Sequence, residues 1–131
     1  MTQRFGFALA LLAAAWFSLA PQLQAQATQG SILGNVTDSS GAAVPGAEIT
    51  VRNEGTNFTR TIRADDAGDY RVSGLEPGLY EVAVSATGFK TFKQTRVDLA
   101  ANQVKRIDAG LEIGDVSTTV TVEGGTSQVE T

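Results

Sequence analysis

Three carboxylates within five residues, Asp65, Asp66 and Asp69, form the densest cluster of potential ligands in this sequence. Oxygen donors of this kind suit Ca²⁺. They do not follow the DxDxDG spacing of a helix-flanked calcium loop, however, and no glutamate closes the set. As a glycosidase pair they lack the opposed placement across a bond that such chemistry needs. The simpler expectation is a solvated hairpin in which Asp66 caps a turn that Gly68 permits. The chain contains no cysteine and no histidine. That excludes a thiol nucleophile, a Ser-His-Asp triad and a zinc site built from the usual ligands. No catalytic residue, metal or cofactor is expected, and no enzyme.

Two binding chemistries remain to be weighed. Sugars stack on exposed flat aromatics, tryptophan above all, but the one tryptophan, Trp16, lies in the N-terminal apolar run. Phe58 and Phe92 are left as candidate surface rings, with Asp65 and Asp66 as further candidate contact residues. Glycan binding through a sandwich face or loop is therefore the alternative reading. The run Phe89–Arg96, FKTFKQTR, interleaves cations and aromatics as single-stranded nucleic-acid sites do. Successive strand residues point to opposite faces, so Lys90 and Lys93 diverge. A solvated edge strand whose lysines discourage aggregation is the simpler expectation. The chain carries ten Lys/Arg against 14 Asp/Glu, a net charge of −4. That balance gives no general attraction to nucleic acid.

The elements that would position these residues are short strands. Alternating segments rich in Val, Ile and Thr run over 31–37, 47–52, 59–64, 69–73, 79–86, 89–97, 104–111 and 116–122. No segment has helical periodicity. Eight such strands with short connections predict antiparallel pairing and two sheets packed face to face, a Greek-key β-sandwich. The turns agree: Val44-Pro45-Gly46 is a turn with proline at i+1 and glycine at positive φ, Gly68 serves a hairpin, and Pro77-Gly78 is a further turn. A domain of this size buries roughly two-thirds of its unfolded surface, enough without disulfides.

The N-terminus has a different logic. Arg4 precedes an uncharged apolar run, Phe5–Ala20, closed by Pro21 and by small residues at Ala25 and Ala27. This is the order of a secretory signal peptide over residues 1–27, with cleavage after Ala27 favoured and after Ala25 the alternative. The run is too short for a spanning helix. No membrane span is expected in the mature chain. The expected organisation is leader, sandwich over 28–113, then a final strand and flexible tail over 114–131.

An ordered set of residues resembles the carboxypeptidase regulatory-like domain, a transthyretin-like, carbohydrate-binding-like sandwich. It comprises Gly34-x-Val36-x-Asp38, Gly41, Val44-Pro45-Gly46-Ala47, Asp66-x-Gly68-x-Tyr70, Leu75-x-Pro77-Gly78-x-Tyr80 and Gly88-Phe89. The resemblance marks Gly34, Pro45, Gly46, Gly68, Leu75, Pro77, Gly78 and Tyr80 as determinants of fold. Leu-x-Pro-Gly-x-Tyr also has the form of a tyrosine corner, in which a buried ring bonds back to nearby backbone. Leader, domain and STTVTVEGG in that order resemble the N-terminal part of TonB-dependent outer-membrane receptors. The resemblance implies a non-catalytic structural or interaction module in the periplasm, at the outer membrane or secreted. Its partner would be a protein or a neighbouring receptor domain. With no barrel in these 131 residues, a stand-alone module or a truncated product is expected rather than a transporter.

Overall fold

The computed structural model describes residues 28–124; the expected leader over 1–27 and the end of the expected tail lie outside the described residues. Among the described residues nine strands follow one another without a helix: β1 (Gly30–Asp38), β2 (Glu48–Asn53), β3 (Thr59–Arg63), β4 (Asp69–Leu75), β5 (Gly78–Ser85), β6 (Thr91–Leu99), β7 (Val104–Arg106), β8 (Ala109–Leu111) and β9 (Thr119–Glu123). One sheet has the order β4-β1-β7, with β8 also on β1; the other has the order β3-β2-β5-β6-β9. Period-2 patterning decides which side chains meet between them. Ile32 and Val36 of β1, Tyr70 and Val72 of β4, Ile49 and Val51 of β2, and Tyr80, Val82 and Val84 of β5 form one core. Each fully buried valine contributes about 1.5–3 kcal/mol through loss of contact with water.

The sandwich is as the sequence predicts, but its pairing is mixed. Four pairings are antiparallel; β1 with β7, β1 with β8, and β6 with β9 are parallel. Short connections dictate antiparallel pairing only between hairpin neighbours. After β6 the chain crosses to the other sheet for β7 and β8, then returns for β9, and each arriving strand pairs in the direction it comes from. The single strand expected over 104–111 is two. At the break, the Asn35 N–H donates to the Asp108 carboxylate at 2.8 Å instead of to a ladder carbonyl.

The ladder between β5 and β6 is irregular between Tyr80 and Val82. The extra residue falls at Thr95–Arg96, where Arg96 has φ 56°, and the Glu54 carboxylate accepts the Arg96 N–H at 2.9 Å. The bulge inverts the face on which alternation places every earlier residue of β6. Phe92 therefore turns inward opposite Val84 and packs against the core, which corrects its expected place on the surface. β6 is also an interior strand, flanked by β5 and β9. The basic run is thus no solvated edge.

The expected fold determinants divide by task. Gly34 is required by close approach: a Cβ there would lie 1.7 Å from the Ile107 carbonyl oxygen. Gly46 and Gly68 have φ of 71° and 78°, the left-handed region that favours glycine, and Pro45 precedes the first of them on the surface. Leu75 is buried. Pro77 and Gly78 carry the chain from β4 in one sheet to β5 in the other, a corner rather than a hairpin turn. Tyr80 is 1% exposed, and its hydroxyl donates to the Glu76 carbonyl at 2.6 Å, the geometry of a tyrosine corner.

Candidate functional site

Each carboxylate of the acidic cluster has a different environment. Asp65, not Asp66, caps the loop: its carboxylate accepts the N–H groups of Ala67 and Asp69, each at 2.9 Å. Asp69 accepts the Asn35 side-chain amide at 2.7 Å. Asp66 is exposed. The loop thereby directs Asp65 and Asp69 at the protein's own amides, away from any common point. Among the described residues no group of three or more His, Cys, Asp or Glu side chains is placed to hold a metal ion.

The two phenols are likewise bound to backbone. Tyr70 donates to the Ile107 carbonyl at 2.5 Å, and burial first, then the nearby Asp108 charge, pushes its pKa well above the ordinary tyrosine value. On the outer face of the β2-β5-β6 sheet, Glu81 is held between Arg52 at 3.1 Å and Lys93 at 3.4 Å. Lys93 is thereby matched by a carboxylate within its own sheet, and Lys90 lies 3.5 Å from Glu112. Pairing of this kind dissipates the cationic field that a polyanion would need.

Phe58 is the ring that remains on the surface, 50% exposed. The Arg60 guanidinium lies over it, 5.5 Å from the ring centre, and Arg60 also donates to the Ser73 carbonyl of β4. Together with Asn53, Glu76 and Pro77 these residues line a concavity of about 490 Å³ at one end of the sandwich. Asn53 is buried, and its side-chain oxygen accepts the Gly55 and Thr56 N–H groups. Its role is to shape the loop that carries Phe58. Phe58 and Phe92, the two candidate rings, are not brought together.

A further exposed apolar region, marked by no sequence motif, lies on the C-terminal side. Val104, Ile113, Val116, Val120 and Val122 are all exposed. A groove of about 660 Å³ runs between β6–β9 and β7, lined by Gln94, Lys105, Ile107 and Val122. Among the described residues the outer edge of β9 is an end of its sheet. Alternating Thr and Val in 119–122 was the available signal. It marks a strand, but whether that strand lies inside or at the edge depends on the partner sheet.

Architecturally this is a two-sheet sandwich whose polar groups are largely spent on its own loops. A family model for the carboxypeptidase regulatory-like domain matches residues 31–112, and the chain belongs to that family. No curated protein gives a significant sequence match. Among solved structures, hydroxyquinol 1,2-dioxygenase from Pseudomonas putida is similar, with a TM-score of 0.53 at 11% identity over 66% of this chain and 57% of that one. The streptococcal ancillary pilin has a TM-score of 0.53 at 13% identity, over 69% of this chain and 34% of its own. The Bacillus anthracis TIE protein has a TM-score of 0.51 at 18% identity, over 66% of this chain and 17% of its own. The chain thus spans less than two-thirds of each of these structures. At such identities the likeness is one of fold.

Proposed function

We propose that this chain is an exported, non-catalytic module that docks or orients a protein partner, as the N-terminal extension domain of a TonB-dependent outer-membrane receptor. Membership of the regulatory-like family supports this, as does the order of apolar leader, domain and STTVTVEGG in the sequence. One observation carries the docking role. Among the described residues, the side chains best suited to chemistry bind the domain itself (Asp65, Tyr70 and Tyr80 its backbone, Asp69 the Asn35 side chain), whereas an apolar strand edge is left open at β9. No acid–base–nucleophile set can be assembled from what remains. The reading frame and its neighbours test the receptor context. A plug and barrel encoded in continuation or alongside supports it; a free-standing frame with no barrel nearby overturns it.

Glycan binding is the second reading, and Phe58 favours it. A half-exposed ring flanked by a cation, beside a concavity that also holds Glu76, could stack on a sugar and bond its hydroxyls. Titration with a glycan panel decides. Saturable binding abolished by Phe58→Ala would replace the docking role with a carbohydrate one. Phe92→Ala cannot serve this purpose, because that ring packs against the core.

A further inference from the structure

We infer that the open edge of β9 pairs antiparallel with the same strand of a second copy of this chain. The argument begins with which backbone groups are already used. The Thr91 N–H donates to the Thr118 carbonyl at 2.8 Å, and the Gly124 N–H donates to the Thr95 carbonyl at 2.7 Å. Backbone groups alternate sides along a strand, so Val120 and Val122 also bond toward β6. The N–H and C=O groups of Thr119, Thr121 and Glu123 consequently point away from the sheet.

These outward groups are self-complementary. In an antiparallel pair centred on Thr121, each Thr121 exchanges two hydrogen bonds with its symmetry mate. Thr119 does the same with Glu123 of the second copy, and Glu123 with Thr119. Every outward donor meets an acceptor. The one charge of the strand, Glu123, falls opposite Thr119 rather than opposite another carboxylate. Val120 falls opposite Val122 in the closer, non-hydrogen-bonded positions. That arrangement covers side chains now 37% and 43% exposed. A shift of two residues in either direction leaves outward groups unpaired and brings Glu123 out of this match.

The remaining strand edges are guarded, as edges of soluble sheets usually are. β3 carries Arg60 and Arg63 within its five residues. The Ser73 carbonyl of β4 is occupied by Arg60. β7 and β8 are short and interrupted; β7 carries Lys105 and Arg106, and Asp108 lies between the two. β9 has no cation, no proline and no bulge. The contact joins the two β3-β2-β5-β6-β9 sheets into one continuous sheet across a two-fold axis, an isologous interface. It rests on the docking role read from that edge and names the edge's occupant as a second copy of this chain, whether or not a barrel follows.

Sedimentation velocity of the purified protein over a concentration series tests it, with far-UV circular dichroism to verify the fold. The expected result is a reversible, concentration-dependent dimer. Thr121→Pro removes an outward N–H while sparing every bond to β6. It should raise the dimer dissociation constant at least about tenfold by deleting both central bonds. Thr119→Lys places a cation opposite Glu123 of the second copy and should tighten the dimer at low salt, with the gain fading as salt is added. A protein that stays monomeric throughout the series overturns the inference. So does a dimer indifferent to both substitutions in folded protein. If Thr121→Pro disturbs the fold, the response to Thr119→Lys decides alone.

Discussion

The Tyr70 hydroxyl reaches across Gly34 to the Ile107 carbonyl, which it meets at 2.5 Å. Gly34 pairs directly with Tyr70 across β1 and β4. A Cβ on residue 34 would come within 3.0 Å of the tyrosine ring and 1.7 Å of the carbonyl. Strands β1 and β4 and the connection between β7 and β8 are thus joined at one point, where the absence of a side chain lets a ring and a carbonyl meet. Tyr70→Phe leaves that carbonyl without its donor and should cost about 1–3 kcal/mol in urea unfolding. Gly34→Ala should cost more than Tyr70→Phe, because backbone must move to admit it.

At the tyrosine corner, Tyr80→Phe keeps the buried ring and loses only the bond to the Glu76 carbonyl. A destabilisation of about 1 kcal/mol is expected. The oligomeric state should be unchanged, because Tyr80 lies away from the β9 edge. Chemical denaturation paired with sedimentation checks both halves.

Asp65 and Asp66 are neighbours with opposite expectations. Asp65→Ala removes an acceptor for two loop N–H groups and should cost about 1 kcal/mol. Asp66→Ala should stay within about 0.5 kcal/mol of wild type, as for ordinary surface changes. Added Ca²⁺ should not raise the melting temperature of either variant or of the wild type.

Stability should fall at both ends of the pH range. The Ser40 hydroxyl holds the Asp38 carboxyl below the ordinary value of 3.8, and the Ser117 N–H does the same for Asp115. Burial pushes Asp108 up, but the hydrogen bond from Arg106, the Asn35 N–H and the Arg106 charge together outweigh it and hold the group low. Lowered folded values mean that the unfolded chain binds protons first. Their contribution is present above pH 3.8 and is lost as the pH falls through the lowered values. Tyr70 behaves in the reverse sense. Its raised value makes its contribution complete below pH 10 and progressively lost above it. Urea midpoints across pH should show a shallower acid limb in Asp38→Asn and a shallower alkaline limb in Tyr70→Phe.

Features written in adjacent residues were legible in the sequence, whereas those set by distant contacts were not. The tyrosine corner spans five residues from Glu76 to Tyr80, and the turn at Gly46 is written in three consecutive residues, so both could be read directly. The break between β7 and β8 depends on Asp108 meeting Asn35, 73 positions away. The face of Phe92 depends on a bulge that Glu54 stabilises from 42 positions away. Alternation carried backward from Val97 and Leu99 puts Phe92 outside, and one extra residue at Arg96 reverses the answer. The open edge of β9 was hidden for a related reason: alternating Thr and Val describes a strand equally well at the centre of a sheet or at its margin.

The central claim is that this domain acts through the unpaired side of β9, and amide hydrogen exchange followed by NMR at low and high protein concentration tests it most directly. The N–H groups of Val120 and Val122 should be protected at every concentration, because they bond β6. Those of Thr119, Thr121 and Glu123 should exchange freely when dilute and become protected as concentration rises, and Thr121→Pro should abolish that gain at Thr119 and Glu123. Equal and rapid exchange of the three at all concentrations would contradict the account.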